Sequence, residues 1–241
     1  MTDSSVAGKI AVVTGAGSGV GRAVAVALAA AGAEPVLVGR RPDPLAETAG
    51  QIASAGGRSL VAPVDVGDED AVAAHMARIA ADLGGVDILV HAAGVGLYGP
   101  VETYSFGDWQ TTLATNLTGA FLCARAVLPT MRDRGGGAIV GIASGAGKQG
   151  YPNLAAYAAS KFGLIGFLQS LAAEVAGDGI KVATVVPGSV LTGFAGGSAD
   201  AKRADPGGKR YLEPEDVAEA VLFLLRQPRR AWTQELNLWP F

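Results

Sequence analysis

The chain has 241 residues, 49% of them hydrophobic and 17% charged, and its 19 basic and 22 acidic residues leave a formal net charge of −3. That composition can bury a sizeable core and excludes a disordered chain, and with no basic run longer than two residues it excludes a nucleic-acid face. One cysteine, Cys123, leaves no pair for an intramolecular disulfide; it suits a reducing compartment and reads as a small buried apolar side chain. Met1 to Lys9 carries no basic-then-apolar leader, and the longest apolar run, Ala23 to Ala33, is too short to span a bilayer. A soluble, cytoplasmic protein with no membrane partner is expected.

Lys9 to Thr14 is a β-branched run of the kind buried on both faces of a sheet. It leads into Gly15-Ala-Gly17-Ser18-Gly19-Val20-Gly21 and then an alanine-rich helix from Arg22 to Ala31. Strand, glycine loop and helix make the first unit of a dinucleotide fold, with the helix amino terminus offered to a pyrophosphate. The spacing is G-x-x-x-G-x-G on Gly15, Gly19 and Gly21, and the position between strand and helix favours phosphate cradling over a plain tight turn. Val36 to Val38 is the second strand, with Pro35 at its start. Its end is Gly39-Arg40-Arg41, where a nucleotide fold meets the adenosine ribose and where no carboxylate stands. A guanidinium suits a 2′-phosphate, so NADP(H) is favoured over NAD(H); the competing reading is two solvated arginines opening the loop before Pro42.

Leu45 to Ala55 reads as a helix and Ser59 to Val64 as the third strand, running into Asp65-Val66. Asp65 either accepts a hydrogen bond from an adenine amino group or serves as a turn residue. Asp68 starts a helix to about Leu83, Val86 to Val90 is the fourth strand, and His91-Ala92-Ala93-Gly94 leaves it, with Ala93 and Gly94 offering close backbone approach. Neither His75 nor His91 has partners at metal-ligand spacing, so no metal is expected. Phe106 to Met131 is a long helical stretch expected to bend or break near Pro129, with Asn116 inside it, a residue that on a helix usually faces water. Ala138 to Ile142 is the fifth strand and delivers Ser144 at its carboxyl end, where open α/β sheets bind ligands.

Residues 154–176 read as a helix carrying Tyr157 and Lys161 at i and i+4, on one face and a turn apart. A nearby cation favours the phenolate of a tyrosine whose free pKa is about 10, although the pair alone also fits an ordinary surface contact. Ile180 to Val186 is the sixth strand, leaving through Pro187-Gly188-Ser189-Val190-Leu191-Thr192. Residues 193–210 form a polar, glycine-rich loop expected to be a mobile substrate lid. Pro214-Glu-Asp-Val217 starts a helix, and Glu235 to Leu238 is the last strand. Strands and helices alternating without a linker predict one doubly wound Rossmann-type α/β domain over 1–241, a mostly parallel seven-stranded sheet flanked by helices.

In these motifs the chain resembles the classical short-chain dehydrogenase/reductases over nearly its whole length. Thr14-Gly15-x-x-x-Gly19-x-Gly21 resembles the family's cofactor loop, Asp65-Val66 its adenine contact, and Asn116 its helix asparagine. Ser144 and Tyr157-x-x-x-Lys161, thirteen residues apart from serine to tyrosine, resemble its reactive group, and Pro187-Gly188-x-Val190-x-Thr192 its nicotinamide segment. The resemblance implies that Tyr157 exchanges a proton with the substrate oxygen and that Ser144 hydrogen-bonds that oxygen. It also implies that Lys161 lowers the tyrosine pKa and holds the nicotinamide ribose, and that Asn116 supports a water relay. Homodimers or homotetramers are implied as well. Three features depart from the family: His91-Ala92 stands where Asn-Asn is usual, the chain ends Trp239-Pro240-Phe241, aromatics expected to pack on a neighbouring subunit, and the lid is shorter than in members with bulky substrates.

The resulting expectation is an NADP(H)-dependent oxidoreductase interconverting a carbonyl and an alcohol; the alternative is a non-enzymatic NADP(H)-binding sensor or regulatory subunit on the same fold. Val95, Leu97, Tyr98, Gln149, Tyr151 and Phe194 are expected to wall the substrate pocket, because their loops fall at the carboxyl edge of the sheet. Their few charges favour a neutral or partly apolar substrate.

Overall fold

The computed structural model describes residues 6–204 and 210–241. Seven strands, β1 (Ile10–Thr14), β2 (Glu34–Gly39), β3 (Leu60–Pro63), β4 (Ile88–His91), β5 (Gly137–Ile142), β6 (Ile180–Pro187) and β7 (Glu235–Leu238), form one sheet in the order β3-β2-β1-β4-β5-β6-β7. Every pairing is parallel, so the expected mostly parallel sheet is wholly so among the described residues.

The crossovers are the helices α1 (Gly19–Ala30), α2 (Pro42–Ser54), α3 (Glu69–Leu83), α4 (Phe106–Leu113), α5 (Gly119–Asp133), α6 (Ala155–Glu174) and α8 (Pro214–Leu225), with the short α7 (Ala199–Arg203) before the last. They cover both faces because alternate strand residues point to opposite sides. Val12, Leu89, Ile139 and Val182 pack with Met76, Val127 and Leu164 on one side. On the other, Val13, Val90, Val140 and Val185 pack with Leu28, Leu45 and Val221. Each such fully buried leucine contributes about 1.5–3 kcal/mol by removal from water.

Local chemistry explains three differences from the sequence reading. The second strand is longer than Val36–Val38 and includes Pro35, although β2 lies inside the sheet. Glu34 donates its amide to Lys9 on the β1 side, so the nitrogen of Pro35 faces the β3 side, where pairing begins only at Val36. Pro42 opens α2 three residues before the expected Leu45, at the first helical position, where a missing N–H costs nothing.

The break expected near Pro129 is not there: Pro129 sits within an unbroken α5. The irregularity falls earlier, in a π-helical turn at Ala114–Thr118 between α4 and α5, where the Gly119 amide bonds the Ala114 carbonyl. Gly119 passes so close to the β3–α3 connection that a Cβ there would lie 2.7 Å from Val66 Cγ2. Proline at 129 strands only the carbonyl of exposed Arg125.

Chain direction reverses at β1: β2 and β3 build outward on one side, and the chain then returns to place β4 on the other. The crevice at the carboxyl ends of β1 and β4 is the switch point where such sheets bind ligands.

Candidate active site

Backbone crowding shapes the first half of the crevice. Gly15 takes φ +70°, and a Cβ on it would lie 2.8 Å from the Ala92 carbonyl oxygen; at Gly21 a Cβ would lie 2.2 Å from the Gly15 oxygen. Gly19 takes φ +50° beside Thr192, whose Cγ2 would be 3.1 Å from a Cβ at that position. Only glycine lets β1, the start of α1 and the β4 exit approach so closely. Ser18 is the residue before α1 and its side chain caps nothing, while Val20 lies half-buried in the first turn.

The cleft runs from Gly15, Gly17 and Ser18 past Gly39, Arg40 and Arg41 to Asp65 and Val66, and back along Ala93, Gly94, Val95 and Thr115. Donors at a helix amino terminus lie at one end and two exposed guanidinium groups beside it, a cradle shaped and charged for a phosphorylated dinucleotide. Asp65 accepts the Gly67 amide at 2.9 Å, a turn contact that engages one carboxylate oxygen and leaves the other available to the cleft.

Two anchors hold this loop, Thr14, already part of the motif, and Arg22, which the sequence reading did not single out. Arg22 on α1 donates to the Gly17 carbonyl, to Thr48 Oγ1 at 3.1 Å and to Glu47 at 2.8 Å, and Thr48 donates to the Ala16 carbonyl at 2.9 Å. They tie the glycine loop to α2. The other end is tied by Thr14, whose Oγ1 accepts the amides of Ala92 at 3.1 Å and Ala93 at 3.0 Å. No local motif joins Arg22 to Thr48, whereas a threonine closing a strand before a glycine loop is a signal that can be sought.

The second half of the crevice gathers Ser144, Tyr157, Lys161 and Asn116. Ser144 ends the β5 exit as the cap of a short 3-10 turn, accepting the Ala146 amide at 3.2 Å, and its hydroxyl acts on the Tyr157 phenol in the direction that favours the phenolate. Lys161, 4% exposed, donates to the Ile142 carbonyl at 2.8 Å and holds its Nζ 5.7 Å from the Tyr157 ring centroid. Burial lowers the Lys161 pKa to about 8, so it remains largely cationic at neutral pH. Tyr157 departs from the expectation: burial pushes its pKa up, and the opposing effect of Ser144 does not cancel the rise. A cation on the same helix face was visible in the sequence; the desolvation that outweighs it was not.

Asn116 is fully buried, not turned to water. From the π-turn its Oδ1 accepts the Val95 amide at 2.8 Å, while Nδ2 donates to the Val95 carbonyl and to Ser160 Oγ, both at 3.0 Å. Ser160 in turn donates to the Tyr157 carbonyl at 2.7 Å. The asparagine thus clamps the β4 exit onto the first turn of α6. Pro187 closes β6, Gly188 donates its amide to Leu238 at 2.8 Å, and Val190 bridges to Leu212. Thr192 lies next to the glycine loop and accepts Lys202 at its carbonyl at 2.7 Å.

Of the six expected wall residues, two meet the phenol. Tyr98 sits edge-on to Tyr157 with centroids 5.8 Å apart, and Phe194 lies tilted at 5.6 Å. Leu97 is fixed through its carbonyl by Tyr104 at 2.8 Å, and Val95 by Asn116. Gln149 and Tyr151 are exposed on the loop after the 3-10 turn and make no ring contact with Tyr157 among the described residues. In the expected lid, residues 194–196 and α7 are short helical turns, and 205–209 lie outside the described residues. Trp239 is 54% exposed but lies over the backbone of both Gly145 and Gly188, where a Cβ would come within 2.6 Å and 2.8 Å of its ring; Phe241 is fully exposed.

Comparison with known proteins accords with this geometry. The sequence model of one family, described as short chain dehydrogenase, matches residues 9–203. The chain is 40% identical to D-threitol dehydrogenase of Mycolicibacterium smegmatis over 92% of its own length and 87% of that protein's. It is 38% identical, over 98% of its length, to glycine betaine reductase of Emericella nidulans, of which it spans 19%. Among solved structures, a metagenomic short-chain oxidoreductase in complex with NADP superposes with a TM-score of 0.87 at 35% identity, covering 98% of this chain and 99% of that one.

Proposed function

The chain belongs to the short-chain dehydrogenase/reductase family, and we propose that it is an NADP(H)-dependent oxidoreductase that interconverts a carbonyl compound and an alcohol, with Tyr157 as the proton-transferring acid and base. The observation that carries the proposal is the convergence of Ser144, Tyr157 and Lys161 at the carboxyl end of β5, in one crevice with the glycine loop. A nucleotide-binding protein without turnover would not need the three together.

NADP(H), when bound, supplies or accepts the hydride; the protein supplies position, protons and electrostatics. Gly15, Ser18, Gly19, Val20 and Gly21 would hold the pyrophosphate, Arg40 the 2′-phosphate, and Asp65 and Val66 the adenine. Ala93, Gly94, Pro187, Gly188, Val190 and Thr192 would flank the nicotinamide half. In reduction the neutral phenol of Tyr157 donates its proton to the substrate oxygen, and its raised pKa suits it to that role before the site is loaded. Ser144 shares the developing negative charge by hydrogen bonding. The Lys161 ammonium then stabilises the phenolate, and in oxidation the same cation favours removal of the alcohol proton. Asn116 keeps α6 and the β4 exit in register while this happens.

Tyr98 and Phe194 make the wall of the substrate side aromatic, which supports a neutral, partly apolar substrate. The segment 193–210 would act as a lid, with Phe194 its inner contact. A homodimer or homotetramer is supported by Phe106, Phe121 and Phe162 on α4, α5 and α6, which are 72%, 42% and 48% exposed; a monomer in light scattering at working concentration would overturn that. A cytoplasmic setting is supported by the lone buried Cys123, whose thiol burial pushes up to about 12. No described helix is long and apolar enough to cross a membrane.

The test is a panel of carbonyls and alcohols with NADPH, NADH and their oxidised forms, run on the wild type and on Tyr157→Phe. Carbonyl-dependent NADPH consumption that vanishes in the variant is expected. Tight NADPH binding with no turnover across the panel would favour the sensor reading instead.

A further inference from the structure

Trp239 is a large side chain at the carboxyl edge of the sheet that the proposed reaction leaves unused. It follows β7, and its six-membered ring lies across glycines from two separate segments of the active centre. A Cβ on Gly145, the residue after Ser144, would meet Cη2 of the indole at 2.6 Å. One on Gly188, in the segment proposed to flank the nicotinamide, would meet Cε3 at 2.8 Å. Carbon atoms in contact lie about 3.5–4.0 Å apart, so neither position can carry a side chain beside this ring.

Backbone conformation does not explain the two glycines. Neither takes a positive φ, so torsion alone would admit an alanine at each. At Gly145 the three atoms nearest to an added Cβ all belong to Trp239. The indole is what excludes a side chain there, and the lack of one lets the ring rest directly on both main chains.

The last strand puts the ring in place. β7 pairs with β6 as far as Leu238 opposite Pro187, and the Gly188 amide donates to the Leu238 carbonyl at 2.8 Å, so Trp239 emerges beside the β6 exit. β7 also holds the other end of the serine turn. Lys148, which closes the 3-10 turn begun at Gly145, donates to Glu235 Oε2 at 2.5 Å. Gly147, in the same turn, packs on α6, where a Cβ would lie 2.9 Å from the Lys161 carbonyl oxygen. The turn that Ser144 caps therefore touches both the helix of Tyr157 and Lys161 and the tail after β7. Phe241, two residues beyond Trp239, is fully exposed, with the Arg210 guanidinium 5.9 Å from its ring.

We propose that Trp239 is a positioning residue for the reaction: its indole, lodged against the Ser144 turn and the β6 exit, keeps the serine hydroxyl in register with the segment that flanks the nicotinamide. Ser144 and Tyr157 fix the substrate oxygen, whereas Pro187 to Thr192 would hold the nicotinamide, so the two segments have to keep one spacing. A displacement of about 1 Å can cost about a hundredfold in rate. Trp239 itself exchanges neither proton nor electron. The inference rests on the oxidoreductase reading above, and it gives the tail a role within its own chain.

Trp239→Ala, Trp239→Phe, Gly145→Ala and the double variant Trp239→Ala with Gly145→Ala separate this role from general packing, and Phe241→Ala is the control on the same tail. Each would be titrated calorimetrically with NADPH and with 2′,5′-ADP, which carries the adenine and the 2′-phosphate but no nicotinamide. kcat would be measured with one carbonyl from the panel. Trp239→Ala is expected to lose about tenfold or more in kcat and about threefold or more in NADPH affinity, with 2′,5′-ADP binding changed less than about twofold. Trp239→Phe keeps a six-membered ring and is expected to recover most of both losses, and Phe241→Ala to behave as wild type. Gly145→Ala is expected to cost about tenfold in kcat alone but less than about twofold in the Trp239→Ala background, where the atoms it meets are gone. An active wild type whose Trp239→Ala variant keeps its kcat, or loses NADPH and 2′,5′-ADP affinity equally, would overturn the inference alone. A wild type inactive on every carbonyl would overturn the reading beneath it, and the two titrations then decide the positioning by the same criterion. If Trp239→Ala does not fold, Gly145→Ala decides: kcat and NADPH affinity both unaltered would refute the proposal.

Discussion

Replacing Arg40 by alanine should reduce the preference for NADPH over NADH. Arg40 follows the last residue of β2, lines the cleft with Arg41, Gly39 and Asp65, and makes no ion pair with a described carboxylate. A charge-assisted guanidinium–phosphate contact is worth about 1.5–3 kcal/mol when shielded. Arg40 is exposed, so solvent screening reduces this to about 1–2 kcal/mol, or about 5- to 30-fold in affinity. Fluorescence titration with both reduced cofactors should show that loss for NADPH and little change for NADH. Arg41→Ala should produce a smaller effect of the same sign, because its side chain sits one residue further along at the start of α2. Raising salt from 0.15 to 1 M shortens the Debye length from about 8 to about 3 Å and should erode the wild-type preference in parallel. An unchanged NADPH to NADH ratio in the double variant would refute the assignment and leave the arginines as solvated surface groups.

Lys161→Met should abolish turnover yet stabilise the fold at neutral pH. Burial lowers the lysine from 10.5 to about 8, so between those values the unfolded chain binds more protons and wild-type stability rises with pH. Below about pH 8 the destabilisation is complete and of the order of 3 kcal/mol. The variant's Tm advantage, several degrees at pH 7, should shrink toward pH 10.5 in calorimetry, and a constant difference would show that the charge is not its source. Gly21→Ala drives a Cβ to within 2.2 Å of the Gly15 oxygen and should weaken NADPH binding more than about tenfold. Gly50→Ala, with nothing within 4 Å of its Cβ, should stabilise α2 by about 0.5–1 kcal/mol and leave binding alone. Equal effects in the two would mean that the loop tolerates the side chain. Phe194→Ala removes the tilted ring beside Tyr157 and should raise KM for apolar carbonyls several-fold with kcat nearly kept; an unaltered KM would place the substrate elsewhere.

The strands were legible because parallel strands buried on both faces are near-continuous apolar runs, as at Ile10–Thr14 and Ile180–Val186. The glycine loop, Ser144, Tyr157 and Lys161 were legible because spacing on strands and helices fixes direction. What sequence could not supply was the result of desolvation and of contacts between distant residues. The phenol of Tyr157 was expected to be lowered by Lys161, and burial raises it instead. Asn116 was expected at a wet helix face, and the π-turn rotates it inward to Val95 and Ser160. Propensity located the helix irregularity at Pro129, whereas the close passage of Gly119 over Val66 accompanies it nearer Asn116. Arg22 and Thr48 are 26 residues apart, and nothing in either local pattern joins them. Gln149 and Tyr151 lie exposed on the loop after Ser144, a matter of loop path that alternation rules do not reach.

In the proposed reaction, hydride exchange with a carbonyl carbon is coupled to proton transfer by Tyr157. It is tested most directly by incubating the enzyme with NADPH carrying deuterium at both C4 positions and a carbonyl from the panel, then reading the product alcohol by mass spectrometry. One deuterium on the former carbonyl carbon is expected with wild-type protein, together with loss of the product in Tyr157→Phe although NADPH still binds. Undeuterated alcohol from the wild type, or equal deuterated product from the variant, would contradict it.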